Sequence, residues 1–119
     1  MGLCVAISLL AVLSTKVTAE APIIDQTSLS VVDQVKYYSE LYNVNIEIVD
    51  RVIQCESRYN PNAHNSVGEN SWGLVQINLN AHPDITKEQA IDTNFAINYL
   101  VKNISEGNGK MWTCYQKVV

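Results

Sequence analysis

Between Asp92 and Ile104 the chain reads Asp-Thr-Asn-Phe-Ala-Ile-Asn-Tyr-Leu-Val-Lys-Asn-Ile, with a narrow polar stripe made of Asn94, Asn98, Lys102 and the following Ser105. Asp92 can cap the segment by accepting an orphan amide of its first turn, and Gly107 and Gly109 end it. A helix apolar on most of its circumference belongs in the middle of a domain, wrapped by other elements. A chain of 119 residues is one domain with one core. The prediction is a compact, mainly helical domain built around this segment.

The surrounding elements follow from periodicity and capping. Ser30 caps a helix running to about Tyr42, with Val31, Val35, Tyr38 and Tyr42 on one stripe. After a brief turn at Asn43-Val44, Asn45 caps a second helix. Thr86-Lys87-Glu88-Gln89 matches a capping box and opens a short helix to Ile91. Met111 to Val119 is expected to form a last short helix. Tyr59 to Ser71 is rich in Asn, Ser, Gly and Pro, the composition of loops and turns. No repeat or low-complexity segment appears.

The second helix carries the candidate chemistry. Val49, Val52, Ile53 and Glu56 fall at i, i+3, i+4 and i+7, so Glu56 shares the stripe that faces the core. Removing a carboxylate from water disfavours its charged form and raises its pKa. A carboxyl tuned toward neutrality is what protonation of a glycosidic oxygen requires. Spacing alone leaves open that Glu56 lies past the last turn and meets solvent.

Two motifs bear on that choice. Cys55-Glu56-Ser57-Arg58-Tyr59-Asn60-Pro61-Asn62-Ala63 and, ten residues later, Gly73-Leu74-Val75-Gln76-Ile77-Asn78 resemble the lysozyme-like domain of soluble lytic transglycosylases. The resemblance runs from about Val31 to Tyr115. It implies an α+β lysozyme-like fold, mainly α, with a small loop or β wall beside a sugar cleft. It also implies that Glu56 is the catalytic acid/base and that Ser57 hydrogen-bonds near the reacting sugar. Gln76 would contact an acetamido group, with Asn78 beside it. Asn94 to Leu100 resembles a third family motif, which places Tyr99 under the cleft floor. In the fourth, Cys114-Tyr115-Gln116 stands where the family carries Ala-Tyr-Asn and then Gly, and Tyr115 takes the place of a Tyr that hydrogen-bonds near the catalytic Glu. Trp72 and Trp112 are candidates for stacking on sugar rings. The implied substrate is the glycan strand of peptidoglycan, cleaved without a cofactor by a monomer.

Two other readings compete. A hydrolytic lysozyme needs a second carboxylate to orient water; Glu69 is the candidate, with Asp84 and Asp92 behind it. A non-catalytic glycan-binding module would keep the cleft without the reaction, and the retained Glu56 argues against it.

Charge and cysteines set the remaining expectations. Residues 1–19 resemble a secretory signal, with an apolar run from Leu3 to Leu13 and the small residues Val17-Thr18-Ala19 at a cleavage site. The run is too short to span a membrane, and Cys4 after Met-Gly-Leu makes a poor lipoprotein box. The expected arrangement is signal peptide 1–19, linker 20–29 and domain 30–119, exported to the periplasm, the cell wall or the medium. Loss of the leader removes Lys16 and leaves seven basic against twelve acidic residues, net −5. No basic cluster is available to displace counterions from nucleic acid, which excludes it as a partner. Cleavage also leaves Cys55 and Cys114, an even count in an oxidising compartment, so a disulfide is predicted. His64 and His82 lie singly in polar segments and predict no metal site.

Overall fold

A computed structural model describes residues 28–119. The predicted signal segment and nearly all of the predicted linker lie outside the described residues. Five helices appear among those described: α1 (Val31–Leu41), α2 (Ile46–Ser57), α3 (Lys87–Ile91), α4 (Thr93–Ser105) and α5 (Thr113–Val118). Between α2 and α3 lies a small antiparallel sheet of β1 (His64–Asn65), β2 (Ser71–Trp72) and β3 (Ile77–Asn78), in that spatial order. The mainly α, lysozyme-like expectation is the architecture found.

α4 is the central helix. Ala96, Ile97, Leu100 and Val101 are all 0% exposed, and α1, α3 and the turn before α5 pack against it. Its polar stripe has a structural use. Tyr38 donates its hydroxyl to Asn94 Oδ1 at 2.7 Å, and Tyr42 donates to Asn98 Oδ1 at 2.6 Å. The two tyrosines and two asparagines thus set the register of α1 on α4, each hydroxyl paired with an amide oxygen of the other helix.

The caps are those expected. Ser30, Asn45, Thr86 and Asp92 each accept a backbone amide of the first turn they precede, and Gln89 completes the box with Thr86. The last helix is shorter than predicted. Gly109–Met111 is a 3-10 turn, and Trp112 is extended, so α5 begins only at Thr113. The reason is the Trp112 indole, which is buried and donates to the Val75 carbonyl at 2.8 Å. That contact fixes a backbone direction a continuous helix cannot supply.

Gly73, directly after β2, has φ +86, and a Cβ built there would stand 2.0 Å from the Ala90 carbonyl oxygen of α3. Both the left-handed backbone and the close approach demand glycine. Gly73→Ala is expected to destabilise the domain by about 3 kcal/mol, the sum of αL strain and overpacking against rigid backbone. The check is thermal unfolding, where a domain of this size should melt at least about 10 °C lower. An unchanged melting temperature would mean that the β2–α3 approach is looser than the structure has it.

Candidate active site

Glu56 occupies the last turn of α2. The helix stops at Ser57, one residue after Glu56, because Arg58 and Tyr59 both adopt left-handed backbone, with φ 51 and 60. Val49, Val52 and Ile53 are 0% exposed, so they fix the helix rotation that turns Glu56 inward. Its side chain is half-buried and reaches a cleft of about 470 Å³ between the sheet, the β3–α3 connection and the start of α5. Burial pushes its pKa up from 4.5 to about 7. An amide hydrogen bond from Cys114 at 3.4 Å and the charge of Lys117 oppose that rise, whereas the Glu69 charge adds to it. Desolvation is the largest cause, so the shift comes from the position of the residue in the fold.

Glu69 lines the same cleft. Its two oxygens are held separately, one by the Asn65 side-chain amide and the other by the Ser71 hydroxyl at 2.9 Å. It is a fixed carboxylate in the same cavity as Glu56, and its charge is felt there.

The Gly73 segment is tied to the end of α2. Ser57 donates its hydroxyl to the Leu74 carbonyl at 2.6 Å, and Gly73 N–H donates to Ala63 O at 2.9 Å. Gln76, itself at φ 54, directs its amide nitrogen to the carbonyls of Ala63 and Gly73, both at 3.0 Å. Two carbonyls on the nitrogen settle which end of the amide is which. The Gln76 carbonyl oxygen remains as an acceptor on a residue that lines the cleft.

Asn78, Tyr99 and His82 line the cavity beyond Gln76. Tyr99 contacts the His82 Nδ1 at 3.2 Å and sets its ring edge-on to Trp112 at 5.8 Å. Burial, and after it the nearby Asp84, raises the Tyr99 phenol above its ordinary pKa, so the hydroxyl keeps its proton.

Of the residues singled out from the sequence, Glu56, Glu69, Gln76, Asn78, Tyr99 and Trp112 thus meet around one cavity. Ser57 and Tyr115 do not line it. Ser57 braces its wall from behind, and the Tyr115 ring packs over Gly109, where an added Cβ would meet it at 2.6 Å. Trp72 is covered on its two faces. His64 stacks on it at 3.7 Å, and the Lys87 ammonium sits 4.2 Å from its ring centre. Trp112 is 5% exposed and serves as packing at the cleft floor. Cys55 and Cys114 form the predicted disulfide, with Cα atoms 5.8 Å apart, and join the end of α2 to α5 beside Glu56. Among the described residues no group of three or more His, Cys, Asp or Glu side chains could hold a metal ion.

Sequence reasoning missed His82. Its segment gives a turn signal only, and a lone histidine in a turn has no periodic neighbours to place it. Spacing offered one clue, since His82 lies four residues after Asn78, one helical turn.

With this geometry in place, comparison with known families shows that residues 33–118 fit the profile of the transglycosylase SLT domain. No curated protein and no solved structure matches the chain.

Proposed function

The chain belongs to the transglycosylase SLT domain family, a peptidoglycan-acting class, and on that premise we propose that it cleaves the β-1,4 bond between N-acetylmuramic acid and N-acetylglucosamine with Glu56 as its single acid/base. Glu56 in its acid form protonates the leaving glycosidic oxygen as the bond to C1 breaks. The substrate's own acetamido carbonyl supports the electron-poor C1. Glu56, now a carboxylate, takes the proton from the C6 hydroxyl, and O6 closes on C1. The product is a 1,6-anhydro-muramoyl end, the carboxyl is regenerated as the acid, and no water is consumed. The observation that carries this reading is one half-buried carboxyl raised to about 7 at the wall of a cleft. Such a group is both a competent acid and a competent base near neutral pH. A partly enclosed cavity also favours ring closure by a hydroxyl already in place over attack by bulk water.

Digestion of purified peptidoglycan, followed by mass spectrometry of the released muropeptides, tests the proposal. Fragments one water lighter than lysozyme products are expected. Hydrated reducing ends would replace the lyase by a hydrolase, and no release would leave a binding module. Export through the leader, action on glycan strands as a monomer and independence of any cofactor belong to the same proposal.

Glu69 gives the hydrolytic reading its specific support, because two donors orient it within the same cleft as Glu56. The single-carboxylate scheme expects Glu69→Gln to keep anhydro products at a rate within about tenfold of wild type. Removing a charge that raises Glu56 should also move the alkaline limb of the pH profile downward. Complete loss of activity in that variant would transfer the mechanism to two carboxylates.

A further inference from the structure

Two successive residues, neither of them glycine, turn the chain at the end of α2. Arg58 and Tyr59 hold φ 51 and 60, a backbone that strains an ordinary side chain and persists only where its surroundings impose it. The Tyr59 side chain supplies one such constraint. Its ring packs at the edge of the core, and its hydroxyl reaches back along α2 to donate to Asp50 Oδ1, nine residues earlier. A carboxylate acceptor makes this a charge-assisted bond, the stronger kind. Burial, and after it Asp50, raises the Tyr59 phenol above its ordinary pKa, so the hydroxyl remains a donor.

The turn held in this way joins two parts of the site. Before it stands Glu56, in the last turn of α2. After it the Asn60 amide returns to the Ser57 carbonyl at 3.1 Å, and the Ala63 amide to the Asn60 carbonyl at 3.2 Å. The Ala63 carbonyl then accepts the Gly73 amide at 2.9 Å and the Gln76 side-chain nitrogen at 3.0 Å. We propose that Tyr59 is a positioning residue for Glu56: its hydrogen bond to Asp50 locks the Arg58–Tyr59 turn and thereby fixes the end of α2 at the depth where the carboxyl is half-buried. Neither Tyr59 nor Asp50 lines the cleft, so both act through the backbone. The inference deepens the acid/base reading and rests on it for its catalytic meaning.

With the bond broken, the turn is free to relax and the last turn of α2 to fray, which brings water to Glu56. Burial is the largest cause of its raised pKa, so that pKa should fall. The other groups acting on Glu56 are the Cys114 amide, Glu69 and Lys117, and they stay unaltered in the test. The test is the titration of the Glu56 carboxyl, followed by carbon NMR on labelled glutamate, beside the initial rate of muropeptide release. Tyr59→Phe keeps the ring and removes the hydroxyl, Asp50→Ala removes the acceptor, and Asp50→Asn keeps an uncharged acceptor oxygen. The first two should each lower the titration midpoint and slow release about fivefold, the loss of one exposed charge-assisted hydrogen bond. Combining them should be no worse than either alone, because both remove the same bond. Asp50→Asn should recover most of both losses. Glu47→Gln removes a neighbouring charge from the groove that Asp50 and Tyr59 line, and should change neither.

An unmoved Glu56 titration in folded Tyr59→Phe overturns the proposal, as do additive losses in the double variant or an equal shift in Glu47→Gln. A lower melting temperature with titration and rate unchanged would make the bond structural only, and overturns it as well. If Tyr59→Phe does not fold, Asp50→Ala set against Asp50→Asn makes the same comparison. A wild type that releases nothing from peptidoglycan would remove the acid/base reading, whereas the titration still decides whether this turn sets the depth of Glu56.

Discussion

Glu56→Gln is expected to reduce muropeptide release by about ten-thousandfold, the upper end of what a positioned acid/base contributes, because one carboxyl performs both proton transfers. The amide is nearly the same shape, so the cleft should still bind glycan. A variant that binds and does not cleave separates chemistry from recognition. Retained cleavage would remove Glu56 from the mechanism. Unchanged chitooligosaccharide binding beside an inactive wild type would establish the binding-module reading instead. The pH dependence of the wild type has a definite sign. The reaction starts from the protonated carboxyl, so activity should fall as pH rises through about 7.

The same shift affects stability in the same pH range. An acid whose pKa is raised on folding keeps its proton in the folded state while the unfolded chain loses it. The contribution of Glu56 to stability is therefore greatest below pH 4.5, declines as pH rises to about 7, and is constant above that. Glu56→Gln lacks this decline. Its melting temperature should exceed that of wild type at pH 8 and approach it at pH 4. The opposite order would show that Glu56 is held as a carboxylate in the folded protein, and the acid role would be untenable.

Most of the fold could be read from local signals. Ser30, Asn45, Thr86 and Asp92 cap helices because a short side-chain oxygen satisfies an orphan amide within three residues, and that chemistry needs no tertiary information. The inward direction of Glu56 was likewise legible, since three fully buried neighbours on its stripe set the rotation of α2. What could not be read depends on contacts made far along the chain. The late start of α5 follows from the Trp112 indole finding a carbonyl 37 residues earlier. The use of the α4 asparagines follows from tyrosines 56 residues before them. Ser57 and Tyr115 show the limit of transferring roles by motif: the residue type is in place, but here one hydroxyl braces a loop and the other side chain covers a glycine. The place of His82 in the cleft was hidden for the same reason, because the Tyr99 hydroxyl it meets comes from α4, 17 residues later.

Reduction of the Cys55–Cys114 bond is the perturbation expected to reach both the fold and the site. The bridge closes a loop of 58 intervening residues, for which the chain-entropy model assigns roughly 4 kcal/mol of stabilisation. Such a loss approaches the whole stability of a domain of this size. Its attachment points matter as much as the loop length. Cys55 adjoins Glu56, and the Cys114 amide is the group that hydrogen-bonds the Glu56 carboxylate. Reduction therefore loosens α5 from α2 and weakens the contact that holds the Glu56 pKa down. Two changes are expected together: a melting temperature lower by at least about 10 °C, and, at temperatures where the reduced protein is still folded, an alkaline activity limb displaced to higher pH. Stoichiometric alkylation of both thiols without a change in melting would show that the bridge contributes nothing to stability. A lower melting temperature with an unmoved pH limb would confine the bridge to the fold and detach it from the chemistry of Glu56.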